Sequence, residues 1–377
     1  MGDRIPVALP EMGEPEIAAV AEVIRSRWVT QGPRVEAFEN AMVEFTGASA
    51  GVAVSSCTTA LHLALLQAGV RPGDEVIVPS MSFIATANSV VHAGGIPVFA
   101  EVDPHTFNLD PVDCSERITK RTRALLLVHQ LGLPADIEVF RKTAAEHNLT
   151  LIEDAACAIG SSLNGVRIGG HGNIACFSFH PRKLVTTGDG GMIMTPEPDM
   201  ADNLRRLRQH GMSIRDTERH QADIVLREEY LEVAYNYRLT DIQAAIGLVQ
   251  LGRLDEQISK RQERARWYSE ALGGEEGVST PFVPDNVGWN VQTYAVRLDR
   301  YDREGRDRVM QSMLTAGIST RPGVMTAHRE PAYADNDVAL PISESASDCS
   351  LVLPMYSELT QASIERVVSA LLRAIRS

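Results

Sequence analysis

The sequence has no CxxC pair, no excess of positive charge, no internal repeat and no apolar run of membrane-spanning length. Each absence excludes a class of function. Five cysteines, Cys57, Cys114, Cys157, Cys176 and Cys349, make an odd set without metal-ligand spacing. They predict reduced, buried thiols, not a disulfide framework or a zinc site. A formal net charge of -13 argues against a general nucleic-acid or anionic-membrane surface and leaves room only for a local basic pocket. The stretch MGDRIPVALPEMGEPE lacks the apolar core of a signal peptide, and Pro6 stands where a myristoylation motif needs Ser or Thr. No G-x-G-x-x-G follows the first strand-like run, which disfavours a nicotinamide-dependent dehydrogenase. The expectation is a soluble cytoplasmic protein.

What is present is a large α/β chain. With 377 residues, two domains are expected, and 44% hydrophobic residues suffice for a sizeable core. Five short apolar runs read as strands buried on both faces: Asp74–Ser80, Ile96–Asp103, Ala124–Gly132, Leu149–Asp154 and Ile174–Phe179. Helical patterns lie between them, at Thr58–Gly69 and at Ile137–Asn148, where Asn148 is a plausible C-cap. The alternation predicts a mostly parallel sheet with helices on both faces. Near Asp255 the texture changes to a long charged helix, Leu254–Gly274, and a strand over Trp289–Asp299 that alternates as if half-exposed, followed by two amphipathic helices. The predicted division is 1–253 and 254–377, the second part a smaller α+β domain. The polar stretch Met212–Arg238 is expected to be an irregular loop, mobile or in contact with a partner.

The chemistry begins at LIEDAACAIG, Leu151–Gly160. An apolar strand delivers Glu153 and Asp154 to its C-terminal end, where open α/β sheets bind ligands. Adjacent strand residues point to opposite faces, so one carboxylate can meet a ligand while the other is held structurally. An acidic strand end that merely caps the next helix is the plain alternative. One strand later comes FSFHPRKLVTTGDGG, Phe177–Gly191, which carries Lys183 out of an apolar run into a turn with Gly188, Gly190 and Gly191. A carboxylate and an amine at one sheet edge form either a weak surface ion pair or the two fixed points of a pyridoxal phosphate site. In VSSCTTALHLAL, Val54–Leu65, Ser55 and Ser56 lead into a helix whose first N–H groups suit a phosphate or serve as an ordinary capped start. Ser178 offers a second hydroxyl, and Phe83 in SMSFIATANSV is an aromatic that either stacks on a flat cofactor or fills the core.

Together with GDEVIVPSMSFIATAN, PVFAEVDPHTFNLD, YNYRLTDIQAAIG and LPMYSELT, these motifs resemble the DegT/DnrJ/EryC1/StrS family of sugar aminotransferases over nearly the whole chain. That family is a branch of the fold-type I, aspartate aminotransferase-like pyridoxal phosphate enzymes. The resemblance implies Lys183 as the Schiff-base lysine and Asp154 as the partner of the pyridine nitrogen. It implies Cys57, Thr58 and Ser178 around the phosphate and Phe83 on the ring. Asn236 would reach the phosphate of a neighbouring subunit, which implies a homodimer with shared sites, and Arg238 would take the carboxylate of the amino donor. L-glutamate would be the donor and a nucleotide-linked keto-6-deoxy sugar the acceptor, with Arg321 and His328 in STRPGVMTAHREPAY as candidate sugar contacts; His328 reads equally as a structural histidine. Cys157 stands where many relatives have Gln, Cys57 where many have Gly, and Asp189 where Glu is frequent. Lys183 argues against the related dehydratases, which have His there. A cyclitol ketone as acceptor stays open, and a non-catalytic protein on this fold is disfavoured by retention of Asp154, Ser178 and Lys183. A desolvated amine beside a cationic ring is expected to have a lowered pKa.

Overall fold

Burial on both faces is what continuous Val, Ile and Leu runs specify, and the sheet they form obeys it. The computed structural model of the chain describes residues 4–214, 219 and 222–376. Its first part contains β1 (Ala50–Val54), β2 (Glu75–Pro79), β3 (Ile96–Ala100), β4 (Thr122–Val128), β5 (Thr150–Asp154), the short β6 (Ser162–Leu163) and β7 (Val166–Arg167), β8 (Ile174–Ser178) and β9 (Gly191–Thr195). Seven of these make one sheet in the order β1-β9-β8-β5-β4-β2-β3. The pairs from β8 to β3 are parallel, and β9 is antiparallel to both neighbours. Alternate residues feed two cores on opposite faces: Ile77, Leu125, Leu127 and Phe177 on one, Val76, Val78, Leu126 and Ile152 on the other. The helices cap as the sequence suggests. Ser56 caps Cys57–Gln67, Asp136 caps Ile137–His147, and Asn148 ends the latter in the left-handed region at φ 54°.

The second part opens with the helix Leu254–Leu272 and contains β10 (Val278–Ser279), β11 (Val287–Gly288), β12 (Tyr294–Leu298), β13 (Arg321–Pro322) and β14 (Ser350–Leu353). Four of them form an antiparallel sheet in the order β10-β12-β14-β13, backed by the helices Arg303–Thr315 and Gln361–Arg376. This sheet has its own core, with Tyr268, Tyr294, Leu351 and Leu371. The helix Leu254–Leu272 reaches both cores: Leu254 and Ile258 pack under the large sheet, Ala265, Tyr268 and Leu272 under the small one. β11 leaves the small sheet and pairs with β6.

One expectation changes. The segment Trp289–Asp299 does not form a half-exposed strand; only Tyr294–Leu298 is strand, and it lies buried between β10 and β14. Its polar positions turn inward to hydrogen-bond: Asn290 and Gln292 are both buried and tied to loops of the large sheet. Within Met212–Arg238, residues 215–218, 220 and 221 lie outside the described residues, so nothing bears on their mobility. The remainder is irregular, with isolated bridges Met212–Tyr230 and Gln209–Asn236. Among the described residues no helix is long and apolar enough to cross a membrane.

Candidate active site

β5 ends on two carboxylates that face opposite ways, and their surroundings differ accordingly. Glu153 is buried, with Oε2 3.0 Å from His129 Nε2 and Oε1 accepting from Asn173 Nδ2 at 2.7 Å. His129 Nδ1 accepts from the Ala135 N–H at 3.0 Å, so its proton sits on Nε2 and is donated to Glu153. Burial pushes the Glu153 carboxyl up, but the His129 and Asn173 hydrogen bonds outweigh it and hold it below the usual range. Asp154 is also buried, yet its net shift is upward. Burial outweighs the Thr86 hydroxyl, which donates to Oδ2 at 2.7 Å, the Ala156 N–H on Oδ1 at 3.1 Å, and the attraction of Lys183. Thr86 in turn meets the Ser82 hydroxyl at 2.7 Å; with Thr86 donating to the carboxylate, Ser82 donates to Thr86. An ionised Asp154 is therefore short of positive charge, whereas Glu153 is satisfied.

Lys183 comes from the loop between β8 and β9. The loop closes on Phe179: the Thr187 N–H and the Thr186 hydroxyl donate to its carbonyl at 3.0 and 2.9 Å, and its own N–H donates to Gly190 at 2.9 Å. Gly188 sits at φ 83°, where a side chain would strain the backbone. Gly191 is required for a different reason: a Cβ there would lie 2.5 Å from the Ser56 carbonyl and 2.7 Å from the Cys57 nitrogen. β9 thus runs hard against the first peptide of the helix Cys57–Gln67, and Gly191 is paired with Ser178 across β8. Ser178, Cys57 and Thr58 are brought to one place by this contact.

The Lys183 Nζ donates to Cys157 Sγ at 3.0 Å. Burial presses the amine's pKa down, but Cys157, Cys57 and Asp154 outweigh it, so the direction is upward. The expected lowered value belongs to the amine beside a cationic ring; this upward direction describes the protein alone, where Cys157 and Asp154 are the neighbours. Burial pushes the thiols of Cys57 and Cys176 well up. All five cysteines are free thiols.

The helix Cys57–Gln67 presents its first turn to the same edge. Ser56 Oγ accepts from the Thr59 N–H at 3.2 Å and Thr59 Oγ1 from the Ser56 N–H at 3.1 Å. This reciprocal cap leaves the Cys57 and Thr58 N–H groups, which have no intrahelical acceptor, pointing off the helix end. Phe83 is 71% exposed just beyond β2, outside every core cluster. Asn236 is exposed and Arg238 half-buried on the segment after the partly described loop. Arg321 is exposed on β13. His328 is held on both sides of its ring. It is buried, with Nδ1 2.5 Å from Ser80 Oγ and Nε2 3.1 Å from Glu344 Oε1, so both ring nitrogens are engaged in a seam between the large sheet and the helix Pro341–Cys349.

Sequence reasoning missed Thr86 and Ser82, which hold Asp154, and Asn290, whose amide donates to the Cys157 and Ile159 carbonyls at 2.8 and 2.9 Å. Thr86 and Ser82 lie inside the SMSFIATANSV stretch; hydroxyls just beyond a strand end were the available signal.

A half-buried lysine amine, a buried carboxylate lacking full charge compensation, and a helix start with free N–H groups beside a serine are the donor set that pyridoxal phosphate needs for its carbonyl, ring nitrogen and phosphate. The residues fit that group. The sequence profile of the DegT/DnrJ/EryC1/StrS aminotransferase family matches residues 10–372. The chain is 40% identical to GDP-perosamine synthase of Caulobacter vibrioides over 374 residues, 98% of this chain and 97% of the relative. It is similar to the aminotransferase TlmJ of Streptoalloteichus hindustanus, with a TM-score of 0.92 at 33% identity over 99% of both chains. It is also similar to DesV of S. venezuelae, whose structure is in complex with a ketimine intermediate, with a TM-score of 0.88 at 34% identity over 96% of this chain and 94% of that one. The chain belongs to the DegT/DnrJ/EryC1/StrS aminotransferase family and is a pyridoxal-phosphate-dependent aminotransferase.

Proposed function

We propose that the enzyme transfers the amino group of L-glutamate to the C3 or C4 ketone of a nucleotide-linked 6-deoxy sugar, a step of amino-sugar biosynthesis. The observation that carries this reading is the Lys183–Cys157–Asp154 cluster in a chain 40% identical over 98% of its length to a GDP-perosamine synthase. Lys183 would hold the cofactor through its amine. Asp154, kept in place by Thr86, would face the ring nitrogen, and the Cys57 and Thr58 N–H groups with the Ser178 hydroxyl would hold the phosphate. Phe83, already exposed at the sheet edge, would cover the ring, with Cys157 beside the lysine. When bound, pyridoxal phosphate supplies an electron sink conjugated to the carbon that loses its proton. Lys183 Nζ, once displaced by the donor, would carry that proton as base and then as acid. Arg238 would take the donor carboxylate, Asn236 would serve the site of a second subunit in a homodimer, and Arg321 would meet the sugar. The same reading divides the chain into a cofactor-binding part, 1–253, and a smaller part, 254–377, and places the enzyme in the cytoplasm.

The test is a product assay. Purified enzyme is incubated with cofactor, L-glutamate and a panel of GDP-, dTDP- and UDP-linked keto-deoxy sugars, and amine formation is followed by mass spectrometry. An aminated nucleotide sugar formed in step with 2-oxoglutarate is the expected result, with ping-pong kinetics. Turnover of a cyclitol ketone and of no nucleotide-linked ketone would overturn the acceptor.

A further inference from the structure

Tyr237 lies between Asn236 and Arg238 and is fastened twice to the segment that forms the anion cup. Its carbonyl accepts from the Ser55 N–H at 2.8 Å, and its hydroxyl lies 3.3 Å from His62 Nδ1. Ser55 and His62 flank Cys57 and Thr58 in sequence, so Tyr237 spans the cup from its entry loop to the second turn of its helix. The strip around Tyr237 is extended and paired along its other edge: the Tyr235 N–H donates to Leu207, the His210 N–H to Tyr235, and the Tyr237 N–H to Arg208. Extended backbone sends alternate side chains to opposite faces. Tyr235 and Tyr237 accordingly stack, with ring centroids 4.8 Å apart and planes 10° apart, against the core that underlies the cup helix. Asn236 is exposed on the other face.

His62 is the anchor of this arrangement. It is 5% exposed, and its ring meets Tyr235 edge-on at 4.9 Å. Its Nε2 is buried without a hydrogen-bond partner among the described residues. An apolar side chain would fill that space without an unsatisfied nitrogen; the nitrogen that does find a partner is the one that faces Tyr237. Burial, with His92 nearby, holds the imidazole below its usual pKa, and burial raises that of the Tyr237 phenol. A neutral hydroxyl thus meets a neutral ring.

We infer that His62 and Tyr237 are positioning residues: they lock the Tyr235–Arg238 strip to the cup helix, so that each subunit presents Asn236 to its partner's cofactor in fixed register. This rests on the proposed homodimer with shared sites. The cup of one subunit and the phosphate contact it lends to the other become one rigid unit. Both act through the strip: His62 is buried, and its Nδ1 faces the Tyr237 hydroxyl.

The experiment titrates cofactor into cofactor-stripped Tyr237→Phe and His62→Gln dimers, read by the visible absorption of the lysine-bound cofactor. Tyr237→Phe keeps the ring stack and loses only the hydroxyl; the cofactor Kd is expected to rise about fivefold, the scale of one net hydrogen bond, with kcat at saturating cofactor close to wild type. His62→Gln, which removes the other half of the pair, is expected to raise it as well. Mixed dimers then separate the readings. Each Lys183→Ala/Tyr237→Phe mixed dimer keeps one site with Lys183 from one chain and an intact strip from the other, and that site is expected to bind cofactor with the wild-type Kd. Lys183→Ala/Asn236→Ala mixed dimers test the shared site itself. If the Asn236 pair restores wild-type affinity and the Tyr237 pair does not, the shared site stands and the positioning role across subunits is overturned. If neither restores it, the shared-site reading falls and this inference with it. An unchanged Kd in both the Tyr237→Phe and the His62→Gln homodimers also overturns it.

Discussion

Asp154, at the end of β5, and His328, in the short helical turn Ala327–Arg329, are both buried polar groups and both candidates for the active site. They end differently. His328 has a hydroxyl on one ring nitrogen and a carboxylate on the other, and its backbone N–H also donates to Ser80 Oγ at 3.3 Å. Asp154 has two hydrogen-bond donors and a lysine nearby, and burial still raises its pKa. The comparison shows how to separate structure from function among buried polar residues. A saturated network closes on itself and can only hold elements together. An unsaturated charge beside an amine and a free helix start has capacity left for a ligand.

The largest effect should come from the centre of the unsaturated cluster. Lys183→Ala is expected to lower kcat by about 10⁴-fold, the upper range for loss of a proton-transferring group, measured in the amination assay, and to abolish the visible band of the lysine-bound cofactor. Next is Asp154→Asn, which should lower kcat by about 10²- to 10³-fold, the scale for removal of a preorganised charge contact. Its effect on stability should have the opposite sign. A carboxyl whose folded pKa is raised stabilises fully below its unfolded value, 3.8, and that stability is lost as pH rises through the folded value. Cofactor-free Asp154→Asn escapes this loss. Its melting temperature should therefore exceed that of wild type by a margin that grows as pH rises above about 4.

His328→Ala should reverse that pattern. It orphans Ser80 and Glu344 and should cost about 1–3 kcal/mol in chemical denaturation, with kcat nearly unchanged; a collapse of kcat without loss of stability would place His328 back among the substrate contacts. The smallest effect is expected from Thr86→Val. Removing a donor that lowers the Asp154 pKa should move the acidic limb of the kcat/KM profile to higher pH.

Much of this arrangement was legible before the structure. The apolar runs behind Asp154 and Lys183 located the strands and put both residues at one edge, because uninterrupted Ile, Leu and Phe can only be satisfied by burial on two faces. β9 was harder: Gly191–Thr195 follows Gly188 and Gly190, which mark a turn, and its first residue packs against the Ser56 carbonyl, a long-range approach with no local signal. The Trp289–Asp299 alternation misled because Asn290 and Gln292 look solvent-facing while their amides serve carbonyls of distant loops. His328 could not be sorted from sequence, since its partners Ser80 and Glu344 are far away along the chain. Thr86 on Asp154 and Tyr237 on His62 are likewise long-range pairings without a local pattern. The charges that decide pKa directions were also out of reach: burial of Asp154 is readable, but the balance of its donors is not.

The most direct test of the central claim is an absorption spectrum of the purified enzyme with pyridoxal phosphate, repeated after addition of L-glutamate, with Lys183→Ala alongside. The account predicts a visible band in the wild type that glutamate bleaches and that the variant never forms. A band that forms equally in Lys183→Ala, or one that glutamate leaves unchanged, would contradict the role given to Lys183 or the donor given to the enzyme.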